Sequence, residues 1–293
     1  MGHEASGIIS SIGPSVTRVS VGDRVAIEPG VPCRYCSFCK SGSYHLCADM
    51  RFAAAPGPPD TQGTLCKYFK VAEDFVYPVG DAMSLEEAVL VEPTSVAVHA
   101  VRLGDVRAGE TVIVMGSGTI GLLCAAVARA FGAHRIILVD ILAQKLEFAK
   151  GYLGCETFQS STTSSAEENA RSLMSTLKLG PASVDTVIEA SGAASSIEMG
   201  INILRPAGKY VQTGMGRPKI EFPIGMMSEK ELMVRGCFRY SAGDYELAVS
   251  LLQSERVRVK PLISSTTDFE QATTAWEKTA RGEGIKNLIK GVE

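Results

Sequence analysis

The sequence predicts an α/β protein built on a doubly wound parallel sheet, with a mostly-β segment ahead of it. Three observations predict this. Residues 1 to about 93 hold short β runs broken by turns. From about residue 94 apolar strand runs alternate with helical stretches, the pattern of a parallel sheet covered on both faces. A glycine-rich turn joins the first of those strands to a helix.

The elements follow in order. Gly7-Ile8-Ile9 and Arg24-Val25-Ala26-Ile27 read as strands, with Val21-Gly22-Asp23 as the turn between them. Ala53 to Gly63, with three prolines and two glycines, is a loop. Thr111–Met115 is a continuous apolar run, as expected of a strand buried on both faces. Leu122–Phe131 is a helix stopped by Gly132. Arg135–Val139 is the next strand, Leu142–Leu153 a helix ended by Gly154, and Glu156–Gln159 a weak strand. Ser160–Ser165 is a loop, Ala166–Leu179 a helix, and Ser195–Leu204 another. Val184–Glu189, Lys209–Thr213 and Leu232–Gly236 bring the sheet to six strands. Beyond Arg239 come a helix (Asp244–Ser254), an extended segment, a helix (Phe269–Arg281) and a short strand near Asn287–Lys290.

Composition narrows the function. With 45% hydrophobic and 21% charged residues the chain can bury a core and is no disordered polymer. The formal charge of −3 offers no basic excess to hold a phosphate backbone, so nucleic acid is not an expected partner. No apolar run is long enough to span a bilayer, and the first residues show no secretory pattern. A cytoplasmic protein is expected. Met1–Ser6 fits the loose N-myristoylation pattern only weakly.

Gly116-Ser117-Gly118-Thr119-Ile120-Gly121 follows a strand and opens a helix, the context in which this spacing binds a dinucleotide. Gly116 permits the tight turn, Gly118 lets the backbone approach a pyrophosphate, and Gly121 lets helix and strand pack closely. The pyrophosphate then meets free N–H groups at a helix N-terminus. Asp140 ends the second strand, where a carboxylate accepts bonds from ribose hydroxyls and repels a 2′-phosphate. A Rossmann unit that prefers NAD is expected.

Cys33-x2-Cys36-x2-Cys39-x7-Cys47 is a second strong signal. Four thiolates on short spacers suit tetrahedral Zn²⁺, and a site filled by four protein ligands is structural. Without a secretory signal, metal binding is expected over disulfides. Cys66, Cys124 and Cys155 read as small buried apolar residues. His45 reads as a loop residue, His99 as a packed helix residue, His134 as solvated, and Trp276 as packing a C-terminal helix.

Gly2-His3-Glu4-Ala5-Ser6-Gly7, Gly22-Asp23-Arg24-Val25, the cysteine lobe, Val91-Glu92-Pro93 and the glycine loop occur in that order. In this the chain resembles the zinc-containing medium-chain dehydrogenases of the polyol (sorbitol) branch. The stretches 27–33, 49–54, 96–99 and 236–240 are similar to fungal members that oxidise xylitol to D-xylulose. The resemblance implies a discontinuous GroES-like catalytic domain (1–93 with 239–293, zinc lobe 33–47) around a Rossmann domain (94–238).

It also implies a reaction: a catalytic zinc lowers the pKa of a substrate hydroxyl while hydride passes to NAD. His3 and Glu4 would be ligands of that zinc, with Glu92 beside it. Arg239 and Tyr240 would contact the polyol. Thr119, Ile120, Lys145, Thr213-Gly214-Met215 and Cys237-Phe238-Arg239 would contact the cofactor. Neighbours in a regular strand point to opposite faces, so His3 and Glu4 can share an ion only where the backbone bends. Members of the family carry an earlier segment with a cysteine ligand, so the catalytic domain is expected to be incomplete here and the activity reduced. Sorbitol or L-arabinitol as substrate, and a catalytically impaired NAD-binding form that regulates or assembles with others, are the alternatives. The family implies a homo-oligomer, a dimer or tetramer.

Overall fold

The computed structural model describes residues 1–55 and 61–292. Residues 56–60 of the expected loop Ala53–Gly63 therefore lie outside the described residues. The chain forms two compact units, Met1–Ser95 with Arg239–Glu293, and Val96–Phe238.

The first unit begins with β1 (Ala5–Ile8) and β2 (Arg24–Ile27), antiparallel, with Ala5 opposite Ile27. Gly22 takes the positive φ of the turn before β2. Then come β3 (Gly30–Val31), the one-turn helix α1 (Ser37–Lys40), β4 (Arg51–Phe52) and β5 (Val76–Pro78). The strands make a three-stranded sheet, β1-β2-β5, and a short β3-β4 pair that sets Gly30 opposite Phe52. Val19, Val25, Ile27 and Val76 form the buried side of the larger sheet. Helix α2 (Leu85–Ala88) opens on a capping box between Ser84 and Glu87, and α3 (Val91–Leu103) carries Glu92 in its first turn.

The second unit is the parallel sheet: β6 (Thr111–Met115), α4 (Thr119–Ala130), β7 (Arg135–Asp140), α5 (Ala143–Leu153), β8 (Glu156–Gln159), α6 (Ala166–Thr176), β9 (Thr186–Glu189), α7 (Ala194–Ile203), β10 (Lys209–Gln212), α8 (Ile224–Glu229) and β11 (Met233–Gly236). The strand order is β11-β10-β9-β6-β7-β8 and every pairing is parallel. The chain winds outward from β6 in both directions, so the switch point lies between β6 and β9. Val112, Ile113, Val114 and Met115 are all fully buried, each contributing roughly 1.5–3 kcal/mol through burial.

The chain then returns to the first unit with α9 (Asp244–Gln253), β12 (Ile263–Thr267), α10 (Ala272–Ala280) and β13 (Lys286–Ile289). β12 and β13 run parallel. Tyr245 of α9 is fully buried, and its hydroxyl donates to the Ile27 carbonyl at 2.6 Å.

Several boundaries move from those expected. α4 starts at Thr119, not Leu122, because its first turn is the glycine loop itself and carries no apolar stripe. α6 stops at Thr176, and Lys178 adopts a left-handed conformation just beyond. α8 is only six residues long, too short to leave a periodic signature. Trp276 lies on the C-terminal helix α10 and is 40% exposed. His45 is buried in a one-turn 3₁₀ helix, Tyr44–Leu46, not on an open loop. Cys124 and Cys155 are buried as small apolar residues, whereas Cys66 is half-buried.

Candidate functional site

The cysteine lobe brings Cys33, Cys36, Cys39 and Cys47 together, with one ligand atom from each within 4.8 Å of all the others, and all four thiols are free. Arg34 takes a left-handed φ of 73°, which turns the chain back between Cys33 and Cys36. The Cys36 N–H donates to Cys33 Sγ and the Cys33 N–H to Cys47 Sγ, both at 3.4 Å. Burial pushes the Cys33 thiol up, but the N–H groups of Tyr35 and Cys36 and the neighbouring thiols outweigh it and bring it down to about 7. A set of four sulfurs with N–H support is the donor chemistry of a closed tetrahedral zinc site.

The lobe is tied to the sheet by Glu28, which is 1% exposed. Tyr44 of the lobe donates to Glu28 Oε1 at 2.5 Å, and Tyr77 of β5 donates to Oε2 at 2.7 Å. Burial raises the Glu28 carboxyl to about 7 against the pull of those two hydrogen bonds, with Glu246 and Asp74 adding to the rise.

A second cluster lies in the same unit. His3, Glu4 and Glu92 each offer a ligand atom within 4.8 Å of the others. His3 and Glu4 precede β1, so strand alternation does not separate them. Gly2 has a φ of 86°, and the carbonyls of Met1 and Gly2 accept bonds from Leu65 and Thr64 at 2.9 and 2.8 Å. Desolvation lowers the His3 imidazole, helped by Lys286 and Arg239 and opposed by Glu4, which favours the neutral form that ligates metal. Glu92 is pushed up to about 8, first by burial and then by Glu4, with Lys286, Tyr240 and Arg239 pulling against them. One imidazole and two carboxylates are a three-ligand donor set of the kind that holds a catalytic zinc.

Around this cluster the sequence left two residues unread. Lys286 of β13 makes an ion pair with Glu4 across 282 positions of chain. Phe52 of β4 lies 5.5 Å from the His3 ring, centroid to centroid, and 3.8 Å beneath the Arg239 guanidinium. Arg239 itself has a left-handed φ of 54°, a conformation that costs a non-glycine residue about 1–2 kcal/mol. Tyr240 is only 2% exposed. Its hydroxyl lies close enough to Glu92 to steady that carboxylate, yet makes no hydrogen bond of ordinary geometry.

In the parallel-sheet unit, Gly116 has a φ of 98°, and a Cβ on Gly121 would sit 1.8 Å from the Gly116 carbonyl oxygen. A Cβ on Gly118 would meet nothing within 4 Å, so its bareness leaves a cradle that nothing in the chain fills. Gly118 caps α4 without a side-chain bond, and the geometry of a helix gives the first-turn N–H groups no intrahelical acceptor. Asp140 accepts from the Ser117 N–H at 2.7 Å and the Leu142 N–H at 3.0 Å, which sets its carboxylate at the glycine loop. The hydroxyls of Ser117 and Thr213 are buried and lack partners among the described residues. Two orphaned hydroxyls and an open cradle at the carboxyl edge of the sheet fit a dinucleotide. Met215 is 92% exposed and Phe238 49%, whereas Lys145 and Cys237 are half-buried.

A doubly wound dinucleotide-type unit, together with a β unit holding one closed and one open donor cluster, defines the class of two-domain, metal-dependent oxidoreductases. The comparisons with known proteins agree. Residues 1–81 match the alcohol dehydrogenase GroES-like domain and residues 119–254 the zinc-binding dehydrogenase domain. The chain is 50% identical over 293 residues to a probable D-xylulose reductase A of Aspergillus terreus, covering all of this chain and 82% of the relative. It is 51% identical to D-xylulose reductase A of Aspergillus oryzae, covering all of this chain and 80% of that protein. Among solved structures, galactitol-1-phosphate dehydrogenase of Escherichia coli superposes with a TM-score of 0.84 at 30% identity, over 96% of this chain and 80% of that one. L-idonate 5-dehydrogenase of Escherichia coli gives 0.88 at 27%, over 99% and 81%. The chain belongs to the zinc-binding dehydrogenase family.

Among the described residues no helix is long and apolar enough to cross a membrane.

Proposed function

We propose that this chain is an NAD-dependent zinc polyol dehydrogenase that interconverts xylitol and D-xylulose. The observation that carries the reading is the gathering of His3, Glu4 and Glu92 around one point, in a chain half identical to proteins named D-xylulose reductase A. Zinc at that point, when bound, supplies Lewis-acid polarisation of a substrate hydroxyl, and bound NAD supplies the hydride acceptor. His3, Glu4 and Glu92 hold the metal. Lys286 orients Glu4 and offsets the charge of two adjacent carboxylates. Arg239, braced on Phe52, presents its guanidinium to the polyol hydroxyls, and Tyr240 acts through Glu92. Asp140 accepts from the adenosine ribose and selects NAD over NADP. The residues of the glycine loop, Lys145, Thr213–Met215 and Cys237–Arg239 line the cofactor, and Cys33, Cys36, Cys39 and Cys47 hold a structural zinc.

The same reading takes the protein as a cytoplasmic homo-oligomer. Support for self-association comes from β11, an edge strand whose four residues are all exposed, Met233 and Val234 among them.

The test is steady-state turnover with NAD on xylitol, sorbitol and L-arabinitol, alongside metal analysis. Xylitol is expected to give the highest kcat/KM with two zinc ions per chain. Zinc-loaded, NAD-binding protein that turns over none of the three would refute the assignment. A preference for sorbitol or L-arabinitol would move the substrate and leave the chemistry in place.

A further inference from the structure

We infer that Glu189 is a positioning residue that fixes the loop Thr213–Met215 at the nicotinamide end of the cofactor site. This rests on the reading of that loop as a cofactor contact. Glu189 is the last residue of β9, at the switch point of the sheet, and is fully buried. Its compensation comes from neutral donors. Oε1 accepts from the Ser191 N–H at 2.9 Å, from the Ser191 hydroxyl, and from the Gly192 N–H at 3.1 Å. Oε2 accepts from the Gly192 N–H at 2.9 Å and from Gln212 Nε2 at 2.8 Å.

The network reaches the loop by three routes. Gln212 Nε2 also donates to the Gly214 carbonyl at 2.8 Å, while Gln212 Oε1 accepts from the Tyr210 hydroxyl at 2.7 Å. The Glu189 carbonyl accepts from the N–H groups of Thr213 and Gly214 at 2.8 and 2.7 Å. A Cβ on Gly214 would lie 2.7 Å from Glu189 Oε2, and one on Gly192 2.5 Å from the Met215 carbonyl oxygen. The loop is therefore laid against residues 190–192 with no side chain between them.

On its other side the same segment backs the glycine loop. The Ala190 N–H donates to the Met115 carbonyl at 2.8 Å, and a Cβ on Gly116 would lie 3.1 Å from Ser191 Cβ. One carboxylate thus sets the spacing between the pyrophosphate turn after β6 and the loop after β10. Burying a charge on neutral donors is costly, and what it returns is one arrangement of backbone. The loop it holds begins at Thr213, whose buried hydroxyl lacks a partner among the described residues. An amide in place of the carboxylate would turn an NH₂ toward donors, so the network breaks without a change of volume.

The experiment compares wild type with Glu189→Gln for binding of NADH and of ADP-ribose, which lacks the nicotinamide, by calorimetry, and reads the emission maximum of bound NADH. Positioning predicts that NADH weakens about tenfold or more, the scale of one lost charge-assisted hydrogen bond. ADP-ribose should weaken by less than about threefold, bound NADH emission should shift, and KM for NAD should rise at unchanged zinc content. Equal weakening of both ligands would reduce Glu189 to a stabilising residue, and an unchanged NADH affinity would also overturn the inference. Wild type that binds neither ligand would overturn the dinucleotide reading, and this one with it. Should Glu189→Gln fail to fold, Gln212→Met removes the bridge from a half-buried position and is expected to show the same split at about threefold. Its absence there would be decisive against the inference.

Discussion

The guanidinium of Arg239 stands 3.8 Å above the ring centroid of Phe52, and the same ring packs 5.5 Å from that of His3. A single aromatic side chain on β4 thus braces a candidate metal ligand and a candidate substrate contact at once. The cation–π contact is worth about 1 kcal/mol at a partly desolvated site. Phe52→Leu is expected to raise KM for the polyol roughly fivefold, with KM for NAD unchanged. Steady-state kinetics with each substrate varied in turn decides this, and an equal rise in both constants would contradict it.

Glu28 gives a pH dependence whose sign is fixed. Its carboxyl rises from 4.5 to about 7 on folding. Below 4.5 it is protonated in both states and contributes nothing. Between 4.5 and about 7 the folded state keeps the proton and the unfolded state loses it, so rising pH favours unfolding. Above about 7 the loss is complete, about 3 kcal/mol at most. Glu28→Gln cannot ionise. Its stability relative to wild type should therefore rise between pH 5 and pH 8, as followed by urea denaturation at both values.

The two glycines of the dinucleotide turn should respond differently to one methyl group. Gly121→Ala drives a Cβ to 1.8 Å from a backbone oxygen and should cost about 1–3 kcal/mol, several degrees of melting temperature. Gly118→Ala meets nothing in the protein and should melt as wild type does. It should nevertheless bind NAD at least about tenfold more weakly, because the methyl occupies the approach to the pyrophosphate. Thermal melts and calorimetry on the pair separate fold from ligand.

The cysteine lobe should lose its metal as a unit. Cys36→Ser is expected to reduce the zinc content from two to one per chain and to lower the melting temperature, because metal binding in such a loop is folding free energy. Elemental analysis with a melt on the same sample is the measurement. Two zinc ions retained would place the second ion elsewhere.

Much of this was legible in the sequence because the signals are local. Thr111–Met115 advertises a doubly buried strand, the glycines stand at fixed spacing behind it, and four cysteines lie on one loop. Phe52, Lys286 and Glu189 were not legible, and the reason is the same for each. Lys286 meets Glu4 from the far end of the chain, and Phe52 meets Arg239 only because β3 and β4 pair. Glu189 looks like any polar residue closing an apolar strand until the loops after β9 and β10 fold onto it. The start of α4 was not legible, because polar residues of the glycine turn open that helix without apolar periodicity. The buried state of His45 depends on lobe packing, which no local pattern encodes.

The first unit draws on both ends of the chain, while the parallel sheet is one uninterrupted stretch between them. During synthesis residues 96–238 leave the ribosome together and can mature as a block. His3, Glu4 and Glu92 emerge long before Arg239, and Lys286 comes last of all. The two carboxylates must therefore wait, solvated and without their cation, until the segment that follows the parallel sheet has been made.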